Sequence, residues 1–187
     1  MARIKVIDEH DATGTLAEVY REITGNRGKL AAVHTIQSLH PESIRGHMSL
    51  YKSVMFSRSP LTRPEREMMA VAVSAANGCE YCVEHHAQAL DHFWKDRSRV
   101  DRLAEQRTGL DGLSERERLL CEYAEAVSTA PGGERVISLQ EALKTVGVDD
   151  RGILDASLVV SYFNFVNRIV LSLGVELEHD PGGYRYD

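Results

Sequence analysis

Helix-start signals recur along this chain, while the alternating polar and apolar pattern of a strand hardly appears. That imbalance constrains the fold more than any other feature. Thr62-Arg63-Pro64-Glu65, Ser114-Glu115-Arg116-Glu117 and Ser138-Leu139-Gln140-Glu141 each fit the pattern S/T-x-x-E. There the hydroxyl accepts a hydrogen bond from an unpaired N–H of the first turn, and the Glu reaches back to the amide of the capping residue. The pattern predicts an all-α protein with helices over about 15–24, 31–38, 42–56, 63–76, 80–94, 98–106, 115–129, 139–146 and 150–174. Only Ile4 to Ile7 reads as extended. Gly25, Asn77-Gly78, Gly109, Pro131-Gly132-Gly133 and Gly147 fall where the apolar periodicity breaks, and they mark the helix stops. The connections are short, so neighbouring helices should pack antiparallel. With no clear linker, residues 1–187 read as a single domain.

Composition narrows the function classes without naming one. The chain carries 22 Lys+Arg against 28 Asp+Glu, a formal net charge of -6, and no basic run offers a phosphate-binding surface. A nucleic-acid partner is therefore not expected. The longest wholly apolar run is shorter than ten residues, and Met1 to Asp11 has no apolar signal core, so neither a membrane span nor a secretory signal is expected. Three cysteines are too few for a disulfide framework and suit a reducing, cytoplasmic setting. Two stretches look central to the packing. Met68 to Ala76 is apolar apart from Ser74, and the segment from Ile153 to Val175 carries too many large apolar residues for one exposed face, which assigns it to the core or a subunit interface.

Two of the three cysteines form Cys79-Glu80-Tyr81-Cys82, directly after the Asn77-Gly78 turn and at the start of the helix expected from Glu80. A helix N-terminus presents free N–H groups and partial positive charge, which stabilises a thiolate. The spacing also permits the two sulfurs to close as a disulfide. His86 follows Cys82 by four residues, on the same helix face and about 6 Å along the axis. If helices 63–76 and 80–94 form an antiparallel hairpin, Glu67 stands roughly 15 Å above the turn and His86 roughly 12 Å above it. A carboxylate at that height can orient the imidazole and raise its basicity, so that it accepts a thiol proton.

The pattern Glu67-x11-Cys79-x2-Cys82-x3-His86 resembles that of the alkylhydroperoxidase D-like proteins, within the wider carboxymuconolactone decarboxylase superfamily. The close likeness covers about residues 60–95, and the longer chain is similar to the "peroxidase-related" subgroup. The resemblance implies a multi-helical fold with the CxxC motif on a helical hairpin, a redox-active cysteine pair and homo-oligomeric assembly. It implies that Cys82 attacks the peroxide and that Cys79 resolves the resulting sulfenic acid to a disulfide. His86 and Glu67 would relay the proton, and a dithiol or protein reductant would restore the thiols, with no metal or organic cofactor. One position departs from the pattern: Tyr81 stands where the alkylhydroperoxidase D proteins carry a His before the second cysteine.

Other readings compete for the same residues. Zinc would take Cys79, Cys82, His85 and His86, although all four lie within eight residues rather than on separate elements. A zinc-binding or redox-sensing helical oligomer without catalysis is the alternative to a thiol peroxidase. A c-type haem is excluded by Val83, and a thioredoxin-like role by the lack of strands. The lactone decarboxylase branch does not use the cysteine pair. His85 reads as a supporting group behind the reacting residues or, more in keeping with its position, as facing solvent or another subunit, and Cys121 is expected to be a small buried apolar residue. Ser157, Ser161, Asn164, Arg168 and Ser172 form one polar stripe, read as a hydrogen-bonded seam, an oligomer contact or part of the redox pocket.

Overall fold

A computed structural model describes residues 2–105 and 111–181, and among these residues the protein is all-helical with no strand. The order is α1 (Gly14–Arg27), α2 (Ala32–Thr35), α3 (Pro41–Phe56), α4 (Arg63–Ala76), α5 (Glu80–Trp94), α6 (Arg97–Glu105), α7 (Glu115–Thr129), α8 (Glu134–Thr145) and α9 (Asp150–Leu173). A short 3-10 turn at Glu9–Asp11 precedes them. The multi-helical architecture and the helical hairpin carrying the CxxC motif are those expected from the sequence.

Two of the three capping boxes form as predicted. Thr62 accepts from the Glu65 amide while Glu65 Oε2 accepts from the Thr62 amide at 2.7 Å, and Ser114 and Glu117 repeat the exchange at 2.8 Å. Each box Glu also joins a neighbouring helix. Glu65 accepts from Arg116 of α7 at 2.6 Å, and Glu117 accepts from Arg99 of α6 at 2.9 Å. The third box does not form. The Pro131-Gly132-Gly133 turn already launches α8 at Glu134, so Ser138 lies one turn inside the helix and its hydroxyl donates to the Glu134 carbonyl at 3.1 Å. The pattern is the same, but no unpaired amide remains for it to cap.

Other boundaries shift for local reasons. Helix α1 runs through Gly25 and ends at Gly28, whose φ of 88° lets its amide bond to the Thr24 carbonyl at 2.8 Å. Helix α2 keeps only one turn, followed by turns to Leu39. Ile4 to Ile7 is irregular, tied to the helices where Ile7 donates its amide to Ser38 Oγ and accepts from the Tyr20 hydroxyl. The expected stop at Gly109 lies outside the described residues.

Helix α4 is the axis of the packing and contacts α5, α6, α7 and α9. Met68, Met69, Ala70, Val71 and Val73 have no exposed surface, as the apolar run predicts. One contiguous apolar cluster draws on α1 and on α3 to α9. Helix α9 is long and apolar enough by composition to cross a membrane, yet Ala156, Val159, Val160, Phe163 and Val170 are buried against other helices. Leu154, Leu158, Phe165 and Leu171 of the same helix are exposed.

The fate of the three boxes gives a direct test. Thr62→Ala and Ser114→Ala should each lower the unfolding free energy by about 1 kcal/mol in urea titrations. Ser138→Ala, in an identical sequence pattern, should change it by less than about 0.5 kcal/mol.

Candidate active site

The turn between α4 and α5 brings the two cysteines to one point. Gly78 adopts φ 66°, and Cys79 then occupies the N-cap position of α5, its amide bonded to the Ser74 carbonyl at 2.8 Å. Helical spacing returns Cys82 to the same side, and both thiols are free and buried. The Cys82 thiol, foremost, then its backbone amide and the Asn167 carboxamide, draw the Cys79 thiol below its ordinary value against the opposing effect of burial. The hydrogen bond to Cys79, together with burial and the charge on Cys79, pushes the Cys82 thiol well up. The pair gives up one proton readily and the second with difficulty, as two interacting sites do. That first charge belongs to the hydrogen-bonded pair, and the family resemblance places the attacking thiolate on Cys82.

Higher in the hairpin, Glu67 and His86 meet as their heights above the turn predict. Glu67 has no exposed surface, and its Oε2 lies 2.6 Å from His86 Nδ1. Its Oε1 accepts from both Arg63 Nε at 2.8 Å and Arg63 Nη2 at 2.6 Å. Arg63 in turn lies over the Phe56 ring, 3.7 Å from its centroid. Burial alone would push the Glu67 carboxyl up, but the His86 ring and the Arg63 guanidinium outweigh it and hold the group below the usual carboxylate range. With a carboxylate on Nδ1, the imidazole donates there and presents Nε2 as its acceptor. The edge of Phe163 holds the ring from the side at a centroid distance of 4.5 Å.

Cys82 and His86 line the same small cavity, about 50 Å³, together with His34, His47, Tyr51, Tyr162 and other side chains. Cys79 lines a different, open groove between α5 and α6 with Gly78, Glu80 and Leu177. Only one of the two sulfurs therefore faces the space that His86 faces.

Several side chains sit elsewhere than the sequence suggested. His85 does not face solvent: its Nε2 lies 2.9 Å from Glu178 of the C-terminal segment, which also accepts from the Tyr81 hydroxyl at 2.9 Å and from the Ala32 amide. Despite burial, the Glu178 carboxyl is held down at about 2 by His85, the Ala32 amide and its own backbone amide. With His85 turned to Glu178 and His86 to Glu67, the four residues of the zinc reading do not converge. No group of three or more His, Cys, Asp or Glu side chains among the described residues is arranged to hold a metal. Cys121 is buried, and burial, with Glu117 and Glu122 nearby, pushes its thiol far up, as suits a packing residue.

The polar stripe of α9 divides. Ser157 bonds to the Tyr123 hydroxyl at 2.7 Å, and Asn164 bonds to Asn77 and Ser128, while Ser161, Arg168 and Ser172 are exposed. The residue that reaches the sulfurs is Asn167, outside the stripe and fully buried. Asn77 donates to its carbonyl oxygen at 2.9 Å, which turns its nitrogen toward Ser74, at 3.2 Å, and the thiols. No local signal marked Asn167, because 85 or more residues separate it from everything it touches at this turn. Arg63 had one: it stands four residues before Glu67, at ion-pair spacing on one helix.

The carboxamide donor should be measurable. Asn167→Ala should raise the pH at which the first thiol ionises, followed by ultraviolet thiolate absorbance, so that less thiolate is present at neutral pH than in the wild type. An unmoved midpoint would mean that the amide does not donate to sulfur.

The family model described as "Carboxymuconolactone decarboxylase family" matches residues 41–126, which include Glu67, both cysteines and His86. The structure is similar to the crystal structure of an alkylhydroperoxidase AhpD core, an uncharacterized peroxidase-related protein from Ralstonia eutropha JMP134. The two are 26% identical with a TM-score of 0.83, covering 95% of this chain and 93% of that one. The debrominase Bmp8 has the same fold at 21% identity and a TM-score of 0.77, covering 96% and 94% of the respective chains. The uncharacterized protein YdfG of Bacillus subtilis (strain 168) is 24% identical over 134 residues, 72% of this chain and 88% of that protein. Residues 41–126 thus match the carboxymuconolactone decarboxylase family model, and the chain shares the fold of an alkylhydroperoxidase AhpD core.

Proposed function

We infer that this protein is a thiol-dependent peroxidase that reduces organic hydroperoxides through a Cys79–Cys82 disulfide cycle, with Glu67 and His86 as its proton relay. The observation that carries this reading is the pairing of a buried, Arg63-held Glu67 with His86 on the wall of the cavity that Cys82 also lines. A redox sensor needs the thiols but not a base oriented by a buried carboxylate, and the zinc reading lacks a converging set of ligands among the described residues. The peroxidase-related relative supports the same direction.

The chemistry follows from the groups present. One proton leaves the thiol pair to His86, and the proton that remains moves to Cys79 as the Cys82 sulfur attacks the distal peroxide oxygen. The S–O bond forms while the O–O bond breaks, giving Cys82 sulfenic acid and an alcohol once the leaving oxygen is protonated. The Cys79 sulfur then displaces hydroxide from Cys82, the hydroxide takes the Cys79 proton, and water and the disulfide result. A dithiol or protein reductant returns the pair to the thiol state by exchange. Homo-oligomeric assembly in the cytoplasm belongs to the same reading.

Wild-type protein treated with tert-butyl hydroperoxide should lose two of its three thiols, measured by titration of free thiols. Cys79→Ser should stop at a sulfenic acid that dimedone traps. His86→Ala should slow thiol loss by about 10²-fold or more, and Glu67→Gln by less, because the imidazole remains but is no longer fixed. A wild type that keeps its thiols, or a His86→Ala variant that reacts as fast, overturns the assignment. The rate should be full at high pH and should fall as pH drops through the lowered ionisation of the pair, below the ordinary thiol value of about 8.5.

A further inference from the structure

The cavity holds a second polar chain that the relay of Glu67 and His86 does not use. His47 of α3 is 5% exposed, and both its ring nitrogens are engaged. Nδ1 lies 2.9 Å from Gln37 Nε2, and Nε2 lies 2.7 Å from the Tyr162 hydroxyl. Gln37 decides which nitrogen carries the proton. Its Nε2 also donates to the Val33 carbonyl at 2.8 Å, which an amide oxygen cannot do, and its Oε1 accepts from Ser43. The carboxamide nitrogen therefore faces His47, and Nδ1 must accept. The ring proton is then on Nε2 and is donated to the Tyr162 oxygen, which polarises the phenol as a donor in its own right.

Tyr162 lines the cavity that Cys82 and His86 also line. Its ring meets Phe163 at 4.9 Å, and Phe163 meets His86 at 4.5 Å, so the phenol and the imidazole occupy separate positions on the wall. The chemistry asks for two groups there. One must take a proton from the thiol, and another must give a proton to the oxygen that leaves when the O–O bond breaks. An alkoxide is too basic to be released unprotonated into an enclosed site. His86, with Nδ1 committed to Glu67, offers the acceptor; a Tyr hydroxyl backed by a neutral imidazole offers the donor.

We propose that Tyr162, oriented by His47 and Gln37, is the acid that protonates the leaving oxygen of the hydroperoxide. The proposal rests on the peroxidase reading above. As the Cys82 sulfur bonds to the distal oxygen, the electron pair of the O–O bond goes to the proximal oxygen, which takes the Tyr162 proton and departs as an alcohol. The phenolate, held by the His47 N–H, is reprotonated with the proton that His86 took from the thiol, so the step gains and loses none. Tyr162 is the catalytic residue of this pair of groups, and His47 is a positioning residue.

Acid assistance matters in proportion to the basicity of the leaving oxygen, and that dependence separates it from a packing role. Single-turnover thiol loss should be followed with tert-butyl hydroperoxide, which releases an alkoxide, and with peracetic acid, which releases acetate. Tyr162→Phe should slow the first at least about tenfold more than the second, and His47→Phe should show the same split in smaller degree. Equal slowing with both oxidants, or no slowing with either, overturns the proposal. A wild type that loses no thiols to either oxidant instead overturns the peroxidase reading, and this assignment falls with it.

Discussion

A carboxylate with no access to water joins the two helices on which everything else is arranged. Glu67 accepts two hydrogen bonds from Arg63 on one oxygen and faces His86 on the other. Removing one partner from a buried ionic group of this kind typically destabilises a protein by about 3–5 kcal/mol, because the remaining charge is left unpaired. The arrangement therefore holds α4 and α5 in one register: a slip along the hairpin would strand the charge. The same register sets the height of His86 against Glu67, while helical spacing along α5 puts His86 and Cys82 on the wall of one cavity.

Around this fixed hairpin, the site is finished by distant parts of the chain. Helix α9 supplies Asn167, which donates toward the sulfurs because Asn77 occupies its carbonyl oxygen, and Phe163, which braces the His86 ring. The C-terminal segment supplies Glu178, whose carboxylate holds both Tyr81 and His85. Tyr81, the departure from the family pattern, is thus a structural tie between α5, α2 and the C-terminal segment. A histidine there would present a shorter side chain to the Glu178 carboxylate and the Val33 amide that now meet the Tyr81 hydroxyl.

What was legible in the sequence was what local geometry determines. Helices α4, α5 and α7 fall on the predicted residues because capping boxes start α4 and α7, and the Asn77-Gly78 and Pro131-Gly132-Gly133 turns interrupt the apolar period of 3.6 between elements. The meeting of Glu67 and His86 was legible for the same reason: a tight turn at Asn77-Gly78 and a rise of about 1.5 Å per residue put them at matching heights. Ser138 shows the limit of such reasoning. Its pattern equals that of Thr62, but a hydroxyl caps only where an amide is unpaired, and the earlier turn had already placed it inside a helix.

The sequence by itself determined an all-helical chain, the α4–α5 hairpin and the four groups of the motif along it, since each depends on spacing within about twenty residues of one turn. Tertiary structure alone decided which sulfur faces the cavity, that His85 turns to Glu178, and that Asn167 rather than Asn164 reaches the thiols. The reason is physical: helical periodicity gives the face of each residue on its own helix, but not the rotation and height at which α9 or the C-terminal segment packs against it. Those are set by the whole apolar core at once, and the chemistry of the buried thiols is set with them.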